Sequence, residues 1–322
     1  MPRRVDWPAI VDLASWNGLL VSVYPALDEH GLCDSVPVDA LEALREFHAQ
    51  GRLRRREAAS QIARASGALN AVGIEPLWLK GAALIVEGSA WADRRWMSDI
   101  DVWVAPESVD AAARALLGMG YRHDSRQPDA AEHHLRPLFH PDETLAIELH
   151  HALAPPAVGA LMPVGRVLGN MRRMHWCGTD VAIPGALDQA VHIASQARPS
   201  AAAFLHGRLR LRRVVEFAQL ATVTGAPQAA DALRSACGAG GHGEFAEEFL
   251  GLAAGMCGFP GGFESPAAMA GVAWKTTFPR LHSLYFGFRG IARHGIAHHA
   301  AHPQLFARKV VDHLRRSMDR RW

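Results

Sequence analysis

The chain has no run of about 18 or more uninterrupted apolar residues, the length a helix needs to span a bilayer, so none of its 322 residues is expected in a membrane. Its basic start, MPRRVDWPAIVDLASWNGLLVSV, lacks the apolar core of a secretory signal because Asp6, Asp12 and Asn17 interrupt it. Cysteine is sparse. Cys33, Cys177, Cys237 and Cys257 lie far apart without C-x-x-C spacing, which argues against a zinc knuckle or a disulfide framework and for reduced core thiols. An excess of one charge is missing too: 34 Lys and Arg face 32 Asp and Glu, a net charge of +2. That leaves no general polyanion-binding surface, so a long nucleic acid is not expected as a partner. Together these absences predict a soluble, cytoplasmic protein.

An apolar content of 49% is ample for a large core, and the length suggests two packed domains or one core with a helical extension. Residues 6–30 carry apolar positions at helical spacings, with Pro8 where a first turn tolerates it. From Val38 to Val72 the chain is rich in Ala, Leu, Glu and Arg, which lose least on entering a helix. Leu41, Leu44, Phe47 and His48 form one stripe and Ile62, Ala63, Ser66 and Leu69 a later one, with Gly51 expected to kink or split the element and Gly73 to end it. The basic run from Arg52 to Arg56 reads as a solvated helix face, because Glu42, Glu46 and Glu57 lie close by.

The chemistry concentrates between residues 76 and 150. Pro76-Leu-Trp-Leu-Lys80 reads as a strand that turns into a helix at Gly81, and the backbone N–H groups of such a turn favour an anion. Asp99-Ile-Asp101, followed by Val102, Trp103 and Val104, reads as a strand whose period of two puts both carboxylates on one face, about 7 Å apart. Two like charges on one strand edge repel unless a positive charge sits between them, and a divalent cation such as Mg²⁺ is the common solution. In Leu145-Ala-Ile-Glu-Leu-His150, one acid among aliphatics, Glu148, needs a partner, and the same metal can serve. His133 to Phe139 and Thr144 to Leu149 flank a turn and predict a hairpin delivering Glu148. His133, His134, His140, His150 and His151 show no tetrahedral spacing on one fixed element, so structural or substrate-contacting imidazoles are expected rather than zinc.

The order L-K-G at 79–81, R-x-x-x-D-I-D at 95–101 and I-E-L-H at 147–150 resembles the uncharacterised, or type-5, nucleotidyltransferases of bacteria, which are similar in turn to the DNA polymerase beta superfamily. The matching region runs from about Ala71 to Leu220, including Leu187-Asp-Gln-Ala-Val-His192 and a helix from Arg208 to Ala221. The resemblance implies a metal-dependent enzyme that moves a nucleoside monophosphate from an NTP, with ATP the first candidate, to a small-molecule, peptide or protein acceptor. Asp99, Asp101 and Glu148 would be both catalytic residues and ligands of two Mg²⁺ or Mn²⁺ ions, while Lys80, Gly81 and Arg95 would hold the triphosphate. Relatives in the superfamily use Gly-Ser or Gly-Gly at the phosphate turn; here Gly81-Ala82 lacks the hydroxyl and leaves Lys80 to supply the charge. His134 and His150 match positions the family fills with histidine, and Glu216 stands where it often has aspartate. The alternative to an enzyme is a catalytically inactive binding or regulatory protein on the same fold.

The expected fold is α+β: a helical segment over 1–72, a polymerase-beta-like core with a mixed sheet over 73–154, and a helical domain over 155–322. Within the last, Val164 to His175 and Gly185 to Ala197 are predicted as helices flanking a short strand at Val181 to Ile183, and Leu205 to Val223 as an amphipathic helix. The histidines from His294 to His302 read as a flexible loop and the final KVVDHLRRSMDRRW as a packed basic helix.

Overall fold

The computed structural model describes residues 5–123, 133–197 and 211–260, so the predicted His294–His302 loop and C-terminal helix lie outside the described residues. Seven strands form one mixed sheet: β1 (Leu77–Trp78), β2 (Asp99–Trp103), β3 (Arg122–His123), β4 (Leu138–Phe139), β5 (Ala146–His150), β6 (Arg172–Trp176) and β7 (Thr179–Ile183). Their order is β3-β4-β5-β2-β1-β7-β6. β2 runs parallel to β5 and antiparallel to β1, while β1 runs parallel to β7. The protein is therefore an α+β chain whose sheet takes strands from both sides of residue 154. No helix among the described residues is long and apolar enough to cross a membrane.

Alternation on the two central strands sets their faces. On β2, Ile100 and Val102 are wholly buried, and on β5 Ile147 and Leu149 are too. That leaves Asp99, Asp101, Glu148 and His150 together on the opposite face. The apolar face rests on α3 (Val38–Ala71), α4 (Lys80–Val86) and α5 (Val109–Gly118), which pack on one another and on the sheet. Leu44, Ile62 and Leu69 of α3 are fully buried, each stabilising the fold by about 1.5–3 kcal/mol. Two buried polar contacts register α3 against the strands. Gln61 Nε2 donates to Leu145 O at 2.7 Å and to Tyr121 Oη at 3.0 Å, and Trp78 Nε1 donates to Ser66 Oγ at 3.0 Å.

Gly51 does not split α3, which runs unbroken for 34 residues. A Cβ there would lie 2.6 Å from Val21 Cγ1, so the glycine opens the place where α2 (Leu20–Glu29) crosses α3. Gly73, at φ +77°, does end the helix. Its N–H reaches Asn70 O and that of Ile74 reaches Leu69 O, the paired bonds of a Schellman cap. Nor is the Arg52–Arg56 run only a solvated face. Arg54 donates to Met97 O and stacks its guanidinium over Trp96, 5.2 Å from the ring centre, and Arg55 pairs with Asp93 at 3.3 Å. Both tie α3 to the loop that leads into β2.

The predicted helix from Val164 to His175 ends early. Only α6 (Val164–Asn170) is helical, and residues 172–176 form β6, paired antiparallel to β7 from Arg172↔Ile183 to Trp176↔Thr179. The turn is Cys177-Gly178, with φ of +49° and +80°; two positive values are what a two-residue hairpin needs to match strand twist. Beyond the sheet, α7 (Ala186–Ser195), α8 (Leu211–Thr224), α9 (Ala226–Ala239) and α10 (Gly243–Cys257) pack together. Phe217 of α8 meets Phe249 of α10 edge-to-face at 5.2 Å.

Replacing Gly51 by Ala should destabilise the protein by about 1–2 kcal/mol, because the clash with Val21 outweighs the roughly 1 kcal/mol gained in helix propensity. In a Val21→Ala background the same change should stabilise. Urea denaturation of the four proteins of this cycle measures the coupling, and a Gly51→Ala effect of the same sign in both backgrounds would refute the packing account.

Candidate active site

The parallel register between β2 and β5 places Asp101 beside Glu148 and Trp103 beside His150, with Asp99 beside Ala146. One oxygen each of Asp101 and Glu148 and one ring nitrogen of His150 lie within 4.8 Å of one another. His150 Nε2 is 2.9 Å from Asp101 Oδ1 and 3.7 Å from Glu148 Oε2. Asp99 is not within that triad, yet it sits on the same face and feels the charge of both other carboxylates.

Lys80 stands where β1 passes into α4. The N–H of Leu79 is bonded to Asp101 O at 3.0 Å, so the next residue emerges directly alongside that carboxylate. Lys80 takes φ +51°, a left-handed conformation uncommon for a residue with a Cβ, and its Nζ is ion-paired with Asp101 Oδ1. Gly81 follows for a steric reason: a Cβ there would meet Met97 Sδ at 2.2 Å and Arg95 Nε at 2.9 Å. Ala82, in place of the hydroxyl residue, is completely buried.

The titration of these groups follows from their surroundings. Burial raises the Asp99 carboxyl above its ordinary value, and the nearby charges of Asp101 and Glu148 raise it further. Burial would also raise Asp101, but the Lys80 ammonium and the His150 hydrogen bond outweigh it and hold that carboxyl well below the usual range. For His150 burial alone would lower the imidazole, while its hydrogen bond to Asp101 and the nearby Glu148 carboxylate win and raise it. His133 is pushed down to about 4 by burial and by the neighbouring imidazoles of His150 and His134; its ring lies 5.3 Å from that of His150 and 4.6 Å from that of His134. His192, on α7, is pushed down to about 3 by burial and by Lys80.

Arg95 is brought to the site by a different route. It is 4% exposed, and its Nη1 donates to Glu216 Oε1 at 2.7 Å rather than facing an open cleft. Glu216, wholly buried on α8, also accepts from Arg213 Nη1 at 2.8 Å and has Arg212 Nε at 3.4 Å. Burial would raise the Glu216 carboxyl, but Arg95, Arg213 and Arg212 outweigh it and keep the group below its ordinary value.

Of the residues singled out by sequence, Asp101, Glu148 and Lys80 converge directly, Asp99 faces them, and Gly81 and Arg95 flank them. Three others are not among the candidate site residues of the sequence. His150 matches a histidine position of the resembled family, His192 is only the end of the matched Leu187–His192 stretch, and Arg213 lies within the Arg208–Ala221 helix with nothing to single it out. Only their sequence-distant partners distinguish them.

A buried and a partly exposed carboxylate, with a buried imidazole, on neighbouring central strands define a candidate metal centre. Oxygen donors suit Mg²⁺ and Mn²⁺, the nitrogen of His150 adds affinity for Mn²⁺, and like-charge repulsion at Asp99 is of the kind a cation relieves. The donor set therefore fits the divalent ions expected of a nucleotidyltransferase. The model of the family described as uncharacterised nucleotidyltransferase matches residues 3–258, and the chain belongs to that family. No curated protein matches it.

Glu216→Gln should cost about 3–5 kcal/mol at neutral pH, because it leaves buried guanidiniums without their counter-charge. Since the native carboxyl titrates below its unfolded value of about 4.5, this stabilisation is complete above that pH and lost as the pH falls through the native value. Urea unfolding of wild type and variant should differ by a constant amount from pH 6 to 8 and converge below about pH 4.5. Equal stability at pH 7 would show that the arginines are balanced elsewhere.

Proposed function

We propose that the protein transfers a nucleoside monophosphate from an NTP, with ATP the first candidate, to a hydroxyl or amine of a small-molecule, peptide or protein acceptor. The observation that carries this reading is the side-by-side placement of Asp101 and Glu148 in the β2–β5 register, with Asp99 on the same face and Lys80 ion-paired to Asp101. On this reading the sheet is a polymerase-beta-like core. Asp99, Asp101 and Glu148 hold two Mg²⁺ or Mn²⁺ ions, with His150 as a further donor. When bound, such a pair stabilises charge on the attacking and leaving oxygens of an in-line displacement.

The residues of the chain do the rest. Lys80 keeps positive charge at the Asp101 carboxylate and, with Arg95, offers charge to the triphosphate. Gly81 lets Arg95 and Met97 close over the turn between β1 and α4. Glu148, the most exposed of the three ligating side chains in the Asp101–Glu148–His150 group, lies on the acceptor side. The acceptor oxygen or nitrogen attacks the α-phosphorus, a new bond to phosphorus forms, the α–β anhydride bond breaks, pyrophosphate leaves with its electron pair, and the acceptor's proton passes to solvent or a carboxylate.

One observation favours the second reading, an inactive binding or regulatory protein: Ala82 is sealed in the core, so no hydroxyl reaches a phosphate from that position. Glu148→Gln separates the two. The nearest imidazole nitrogens, of His150 at 3.7 Å and His134 at 3.9 Å, lie beyond hydrogen-bond range, so the fold should hold while pyrophosphate release falls about a hundredfold or more. Thermal unfolding with Mg²⁺ or Mn²⁺ and each NTP should stabilise wild type and leave the variant unmoved. A wild type that no NTP stabilises would overturn the enzyme reading.

A further inference from the structure

Among the described residues, the buried Glu216 carboxylate is shared by two buried guanidiniums. Glu216 takes Arg95 on Oε1 and Arg213 on Oε2, with Arg212 alongside. The side chains of Arg95 and Arg213 are 4% and 8% exposed, and the Nε of each donates to no acceptor among the described residues. Burial pulls Arg213 below its ordinary value, and the positive charge of Arg95 pulls it further despite Glu216. Cations removed from water in excess of their counter-charge are strongly unfavourable. Two buried guanidiniums with donors to spare are also the group that best matches phosphate oxygens, through a planar fork of N–H bonds.

Their position says which anion. Arg95 Nε lies 2.9 Å from where a Cβ on Gly81 would be, so this guanidinium borders the turn that carries Lys80. Arg213 shares the Glu216 carboxylate with Arg95, on Oε2 and Oε1 respectively, so the second guanidinium is held beside the one that borders the Lys80 turn. We propose that Arg95 and Arg213, oriented by Glu216, clamp the terminal phosphates of the nucleotide, and that Arg213 selects a triphosphate over a monophosphate. Glu216 is a positioning residue: it holds the two forks apart and touches no phosphate. The inference rests on the nucleotide reading above and deepens it.

The test is equilibrium binding of ATP and of AMP, each with Mg²⁺, by titration calorimetry on the full chain and on Arg213→Gln and Arg213→Lys. Arg213→Gln should weaken ATP by about tenfold or more and AMP by less than about twofold, and Arg213→Lys should recover part of the ATP affinity. Unchanged ATP binding, or an equal loss for both nucleotides, would overturn the clamp. Should Arg213→Gln not fold, wild type decides alone: inorganic tripolyphosphate in metal-free buffer should raise its melting temperature and compete with ATP, and failure to do either overturns the proposal. The two readings fail separately. Wild type that turns over ATP, with Arg213→Gln unaffected, keeps nucleotidyl transfer and loses the clamp; wild type that binds tripolyphosphate but no NTP keeps the clamp and loses the transfer.

Discussion

The ion pair between Lys80 and Asp101 is the interaction on which the rest of the site depends. A carboxylate 2% exposed on a central strand is held ionised only if a positive charge comes with it. The fold brings that charge from the end of the neighbouring antiparallel strand, through the bond from the Leu79 N–H to the Asp101 carbonyl. Strand pairing and charge compensation are thus one event, and β1 cannot slip against β2 without stripping Asp101 of its partner. The left-handed backbone of Lys80 is a local cost of of order 1–3 kcal/mol, offset by the ion pair it allows.

A second buried network, centred on Glu216, does for the arginines what Lys80 does for Asp101. The two differ in what they gather: three carboxylates, Asp99, Asp101 and Glu148, share one face of the sheet, while the buried guanidiniums of Arg95 and Arg213 share the Glu216 carboxylate. The proposed ligand, a nucleotide with its divalent ions, carries both signs of charge and would meet both groups. The helices beyond the sheet also reach the neighbourhood of Lys80, because Glu216 on α8 pairs with Arg95, which borders Gly81.

Local pattern made several elements legible. Asp99-Ile-Asp101 and Ala146-Ile-Glu148 alternate with period two, so the strands and the face of each acid followed from residue order alone. The Gly73 stop was readable because only a residue without Cβ takes its conformation easily. Where the expectation failed, a distant partner decided. Gly51 reads as a helix breaker until α2 is seen to cross at Val21, and α3 tolerates it because packing outweighs propensity. Arg172 to Trp176 reads as the tail of a helix until β7 supplies the ladder that makes it a strand. Arg54 and Arg55 read as a solvated face until Met97, Trp96 and Asp93 arrive from about 40 residues away.

What the sequence by itself determined was the inventory and its local geometry: which residues carry charge among aliphatics, which faces they share, and to which family their order belongs. What only the tertiary structure decided was pairing. That Asp101 stands beside Glu148 depends on the register of two strands more than 40 residues apart, and that Arg95 turns to Glu216 depends on a helix more than 100 residues away. A carboxylate's partner, and with it the direction of its titration, is set by what lies within a few ångströms in space, and residue order constrains that distance only along a single strand or helix.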